Sequence, residues 1–359
     1  MKKPKLRTIA YYLLPLLLFL FQCNGTNDNF TGVIHSGTTK NKAGSSLNGT
    51  YKVKTICNSE IPSQIREKIY SNHLWFMAAL QTKKKRILKN LLCKKFKDND
   101  IDNIFKVIEN HDPFEDLILL NEYYSIVESN GDVSYSIIPD RKSLFIINSV
   151  NFKNKEIYNV FQVSPGPIYQ QLYHTMYVLE DDSWKVANFY TGLYAIANKN
   201  ANEWHKIAKD TFLNADPFVS YFSSLISKKL QRTIPYLQLR EEGEIVKNNH
   251  EIQKASYSII NNPEFFKLSE TDKIIGFNFE ITGYGCCPII NYAITKKVDD
   301  WEKYSRYLSS ELNRSYPEIK KFFKIICFQA FDRKLSDENN NKFLNSTVVE
   351  IESNKIIKH

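Results

Sequence analysis

Apolar and polar positions divide the chain into three regimes. Residues 9–21 are almost wholly apolar, behind an early cluster of Lys2, Lys3, Lys5 and Arg7. Residues 24–48 are nearly all Asn, Gly, Thr, Ser and Lys. They cannot bury enough apolar surface to offset the entropy of ordering, so they read as a flexible tether. From Gly49 onward, helical and alternating periods interchange. Residues 49–57 alternate and predict a strand. Ile65, Ile69, Leu74, Met77, Leu80, Ile87, Leu91 and Phe96 recur near helical spacing, which predicts helix over 62–97. Another helix is predicted over 100–110. It ends at His111-Asp112-Pro113, because a residue before proline is pushed out of helical geometry.

The pattern then turns to strands. Segments 123–128, 133–138, 143–152, 157–163, 168–180 and 184–194 are rich in β-branched and aromatic residues. Turn residues such as Pro139-Asp140, Ser164-Pro165-Gly166-Pro167 and Asp181-Asp182-Ser183 separate them. Helices followed by a meander predict an α+β class, with helices packed on one face of an antiparallel sheet. A second unit is expected from about Asn198. It has helices at 204–213 and 217–230, a polar unassigned stretch at 237–248, and strands at 274–280 and 289–297. These last two flank a turn-like Thr282-Gly283-Tyr284-Gly285-Cys286-Cys287-Pro288. Helices at 300–310 and 317–331, a loop at 335–345 and an edge strand at 347–351 complete it. The expected partition is leader 1–22, tether 23–47, α+β domain 48–197 and second α+β unit 198–359. An internal echo relates Asp181-Asp182-Ser183-Trp184 to Asp299-Asp300-Trp301.

The opening regime carries the clearest functional signal. A positive start, an apolar run of about a dozen residues and a processing region make a secretory signal peptide. The run is too short for the roughly 20 residues a spanning helix needs. No small residue precedes an ordinary cut; Leu20-Phe21-Gln22 is followed at once by Cys23. This resembles a bacterial lipoprotein leader, in the looser form seen in spirochaetes, with Leu20-Phe21-Gln22-Cys23 as the lipobox. Leu20 fits that family's pattern, while Phe21 and Gln22 are larger than its strict form uses. The resemblance implies that Cys23 becomes the first mature residue and carries diacylglycerol, with a palmitate-type chain on its amine. Several buried acyl chains, at about 0.8 kcal/mol per methylene, anchor a protein stably. Asn24 rather than Asp behind the cysteine implies the outer membrane. The alternative is a soluble secreted protein in which Cys23 joins a disulfide. Separately, Leu179–Val186 with its acidic turn and Trp-Lys strand resembles the closing hairpin of NTF2-like cone folds.

Charge changes this picture little. Removing the leader's four cations takes the net charge from +9 to +5, less than the clustered excess of a nucleic-acid protein. Lys83-Lys84-Lys85-Arg86 with Lys89, Lys94, Lys95 and Lys97 reads as the solvated face of a helix; anionic lipid beside the anchor is the competing reading. Asn-x-Ser/Thr triplets at Asn24, Asn29, Asn48, Asn313 and Asn345 carry no signal in a chain so rich in these residues.

Candidate chemistry is sparse. Cys286-Cys287 admits three readings: a strained vicinal disulfide with redox lability, a bridge from one of them to Cys57, Cys93 or Cys327, or two reduced and packed thiols. No His or Cys spacing marks a metal site, and no cofactor fingerprint occurs. His111-Asp112 reads as a helix terminus and His174 as a residue of the sheet. Tyr169, Tyr173, Tyr177, Phe189, Tyr190 and Tyr194 crowd the predicted sheet, as core or as a concave face for a small apolar ligand or protein partner. These observations predict a lipid-anchored envelope protein that binds, interacts or serves structurally. An envelope-tethered hydrolase with an unrecognised site is the rival.

Overall fold

The computed structural model describes residues 33–39, 49–95, 98–109, 116–130, 134–139, 144–153, 155–231, 234–266, 268, 272–294, 297–332 and 343–357. The chain divides into two units, Met1–Gly32 and Val33–His359, and all described residues lie in the second. The leader, Cys23 and His111-Asp112 are outside them.

β1 (Val33–Thr39) pairs antiparallel with β2 (Gly49–Cys57), so seven residues of the stretch read as tether run as backbone-paired strand. This pairing spares β2 an unpaired edge, a feature that invites aggregation. α1 (Ser63–Gln81), α2 (Lys85–Leu91) and α3 (Asp98–Glu109) follow. Lys83, with φ of 49°, breaks the helix predicted to be continuous over 62–97. In α2, Leu88 is fully buried while Lys85, Arg86 and Lys89 are exposed, as a solvated basic face requires.

Then come β3 (Ile118–Asn130), β4 (Tyr135–Ile137), β5 (Phe145–Val150), β6 (Glu156–Val163), β7 (Tyr169–Glu180) and β8 (Ser183–Ile196). The first sheet runs β1-β2-β3-β6-β7-β8, antiparallel throughout. β7 and β8 turn at Asp181 and Asp182, both at positive φ (48° and 59°), which matches the twist of a two-residue hairpin. Successive side chains of a strand point to opposite faces. On β6, Tyr158 and Val160 accordingly pack under α1–α3, whereas Ile157, Phe161 and Val163 face the other way. There they meet a three-stranded sheet in which β5 lies between β4 and β9 (Leu237–Leu239). Both faces of the main sheet are thus covered.

α4 (Ala201–Leu213) starts with a capping box: the Asn200 side chain accepts from the Asn202 and Glu203 amides, and Glu203 accepts from Asn200 N. α5 (Pro217–Gln231) is buried on almost every side. Its serines allow close approach of its neighbours. Ser220 Oγ lies 2.7 Å from Ser256 Oγ on α6 (Glu242–Ile260), and Ser227 Oγ donates to Ala201 O at 2.8 Å. Asn249 of α6 donates to Ser227 and lies 2.8 Å from His205 of α4. These contacts satisfy polar groups that burial would otherwise penalise.

The second sheet runs β10 (Lys273–Thr282), β11 (Gly285–Ile294), β12 (Ile325–Asp332), β13 (Phe343–Glu350), β14 (Lys355–Ile357), with α7 (Trp301–Ser315) and the short α8 (Ile319–Phe322) between β11 and β12. It is antiparallel except for β11 against β12. Three expectations fail here. The helix predicted over 317–331 is α8 followed by β12, an interior strand buried on both faces. Residues 343–350 are likewise interior, because β14 occupies the edge. Asp181-Asp182 turns a hairpin, whereas Asp300 caps α7, so the internal echo joins unlike structures.

Candidate functional site

The turn-like Cys286-Cys287 lies in β11, because the chain reverses earlier, at Gly283-Tyr284. Adjacent strand residues point to opposite faces. Cys286 enters the core formed with α4–α8, while Cys287 joins Ile289, Ile325, Cys327 and Val348 on the other face. Cys286, Cys287 and Cys327 stand as free, buried thiols, the arrangement that the reduced, packed reading describes, rather than a vicinal bridge or a bridge to Cys327. Burial pushes both vicinal thiols well above their ordinary pKa, and Cys327 upward too. The thiolate is the reactive species, so these sites are inert in the folded chain. We expect a maleimide to leave Cys286 and Cys287 unlabelled in native buffer and to label both in urea, read by peptide mass spectrometry; native labelling contradicts the packing.

Titratable side chains gather instead around the first sheet. Beneath α1, Glu122 of β3 accepts from Tyr158 Oη at 2.8 Å and lies 3.3 Å from Arg66 Nε. Burial raises the Glu122 pKa, against the opposing pull of Tyr158 and Arg66. Nearby, His73 Nε2 donates to Gln162 Oε1 at 2.6 Å, which leaves Nδ1 to accept from Tyr177 Oη at 2.7 Å. Burial lowers the His73 pKa to about 4, with the Gln162 bond opposing. On the sheet's other face the arrangement recurs. His174 Nε2 donates to Asn159 Oδ1 at 3.0 Å, and Nδ1 accepts from Tyr236 Oη. Burial lowers the His174 pKa to about 3 and raises that of Tyr236. Both imidazoles are therefore neutral at physiological pH and act as fixed hydrogen-bond relays.

The second relay ends at an open pocket of about 400 Å³. One wall is β8, with Ala187, Asn188 and Tyr190; the opposite wall is β5 and its continuation, with Asn148, Asn151 and Phe152. Tyr236 and Met176 close the inner side, and Lys95 stands at the rim, 5.5 Å from the Phe152 ring centroid. Tyr190 is about 39% exposed and meets Tyr236 edge-on, with centroids 4.9 Å apart. No carboxylate lines this pocket. It can offer amide, phenol and ammonium groups to a ligand, and it holds no paired acid and base.

The sequence reading named Tyr190 and placed His174 in the sheet, but it did not bring Tyr236, Asn148, Asn151 and Asn188 together. These come from separate strands and a loop, and no local spacing joins them. Of the other crowded aromatics, Tyr173, Tyr177 and Phe189 are committed to the core under α1–α3. Among the described residues no helix is long and apolar enough to cross a membrane, and no three His, Cys, Asp or Glu side chains converge as metal ligands. Compared with protein-family models, curated proteins and solved structures, the chain gives no match.

Proposed function

We propose that this chain is an exported envelope lipoprotein, held on the outer membrane by acyl chains on Cys23, whose folded body binds a ligand without transforming it. The leader carries the first half: four cations, a short apolar run, and Cys23 standing where a small-residue cut would otherwise lie. The binding half is supported by the pocket above β5 and β8. Its lining supplies amides, aromatic rings and one cation, while the nearest imidazole is held neutral. General acid–base work most often falls to an imidazole or a carboxylate, and neither lines this pocket.

Fractionation tests the anchor. The full chain expressed in a diderm bacterium should sediment with membranes and enter solution only with detergent. Cys23→Ala should move the processed body to the soluble fraction or stall the precursor. Identical, detergent-dependent sedimentation of processed Cys23→Ala contradicts the reading.

A further inference from the structure

We propose that the outward face of α1 lies on a bilayer surface containing anionic lipid, so that the folded body docks against the membrane through its own side chains. This deepens the envelope reading above and rests on it.

The helix is apolar on two sides. Inward, Ile69, Phe76, Met77, Ala79 and Leu80 are buried over the sheet. Outward, Tyr70 is 40% exposed, Leu74 41% and Trp75 63%. With about 100° of turn per residue, Tyr70, Leu74, Ala78, Ser71 and Trp75 follow one another over about 140° of the outer surface, and all five are exposed. Residues 69–82 contain no Asp, Glu, Lys or Arg. The solvent side of a surface helix ordinarily carries charge. A continuous exposed face of Tyr, Leu, Ala and Trp instead marks a surface that meets another apolar one.

Three observations choose a bilayer as the occupant. The first is side-chain chemistry. Trp and Tyr settle at the headgroup level, and a helix with one apolar face and basic residues beside it lies in the plane of the interface. The second is charge. Lys68 stands before the uncharged face, and Lys83, Lys84 and Arg86 follow it, all exposed. Glu67 adjoins Lys68, and Lys85 is held by Asp102 at 2.7 Å, so the cationic excess gathers at the C-terminal end. Such residues are drawn to anionic headgroups. The third is connectivity. β1 begins at Val33, which pairs with Thr55, eight residues ahead of the first residue of α1. The ten steps from Cys23 to Val33 span at most about 35 Å, and Leu74 lies about 17 Å along the helix from Ser63. A bilayer that holds Cys23 is therefore within reach of this face.

The test compares two preparations. One is the lipidated mature chain reconstituted in vesicles. The other is residues 23–359 with Cys23→Ala, added to preformed vesicles of phosphatidylcholine, alone or mixed with phosphatidylglycerol. We expect the Cys23→Ala chain to float with the phosphatidylglycerol vesicles, to be released by high salt, and to bind phosphatidylcholine alone more weakly. Adding Trp75→Ala or Leu74→Ala should weaken its binding by about tenfold, the effect of losing one well-placed contact. Both side chains stand outside the core, so urea unfolding of the variants should match the parent. In the lipidated chain, brominated lipid should quench an emission that Trp75→Phe removes; Trp184 and Trp204 are buried. If the lipidated chain floats while Trp75 stays unquenched and the Cys23→Ala chain stays in solution, docking is wrong and the anchor stands. If salt alone, without detergent, releases the Cys23-intact chain, docking stands and the anchor is wrong. Dimerisation abolished by Trp75→Ala, with no flotation, makes the face a contact between copies and overturns the proposal.

Discussion

Between pH 7 and pH 5 the fold is expected to lose about 2 kcal/mol at each of two buried imidazoles, His73 and His174. In the unfolded chain each titrates near 6.5, whereas burial lowers the folded values to about 4 and about 3. A folded pKa below the unfolded one means that the unfolded chain binds the proton first. The stability is therefore intact above about 6.5 and is lost progressively as the pH falls, down to about 4 for His73 and about 3 for His174. Glu122 and Asp216 work in the opposite sense, because burial raises their carboxyl pKa and the folded state takes up protons more readily. The histidine part is isolated by comparing urea unfolding at the two pH values for the parent, His73→Gln and His174→Gln. Each variant should start less stable at pH 7, having lost its bond to Tyr177 or Tyr236, yet lose about 2 kcal/mol less than the parent on going to pH 5. An unchanged pH dependence contradicts the neutral, buried assignment.

Trp204→Ala should remove about 3–5 kcal/mol of stability, the usual loss for deleting a buried Trp or Phe side chain. Total stabilities of single domains are about 5–15 kcal/mol, so this one change approaches outright unfolding. Trp204 is fully buried where three elements meet. Its ring stacks on Phe323 just after α8, with centroids 6.2 Å apart and planes 11° from parallel. Its Nε1 donates to Ile196 O at the end of β8, at 3.1 Å, and Lys199 Nζ stands 5.7 Å over the ring. Trp204→Phe keeps most of the packing and loses only the indole donor. Ile196 O still accepts from Lys199 N at 3.0 Å, so the loss should fall well below that of alanine. Chemical unfolding of the two variants reads the difference. A loss under about 1 kcal/mol for alanine shows that the site collapses around the void instead of keeping it.

Elements whose own residues set their geometry were legible in the sequence. The β7–β8 hairpin announces itself through Asp181-Asp182, and α4 was placed by its apolar spacing at 204–213, three residues short of the start that the Asn200 cap with Glu203 sets. The meander from β3 to β8 shows period two, and the α+β class follows from its position after α1–α3. The second sheet was harder. Phe322-Phe323 and Ile325-Ile326-Cys327-Phe328, separated only by Lys324, form an apolar run that periodicity cannot assign to helix or strand; burial on both faces of β12 decides it. α6 was missed because Asn249 and Ser256, polar in sequence, point inward to partners on α4 and α5. Gly285 and Pro288 made Cys286-Cys287 look like a turn, although Gly285, at φ 106°, only opens β11. The pocket was least legible. Its walls come from β5, β8 and a loop that the chain reaches only near Tyr236, so only tertiary structure assembles Asn148, Asn188 and Tyr190.

On the proposed reading, an anchor at Cys23 sets where all of this chemistry operates. Its direct test is intact mass spectrometry of the mature N-terminus from membrane-extracted protein, with Cys23→Ala beside it. The account predicts a chain beginning at Cys23 and carrying diacylglycerol on sulfur, absent in the variant. A mature chain with an unmodified N-terminus, at Cys23 or elsewhere, would contradict it.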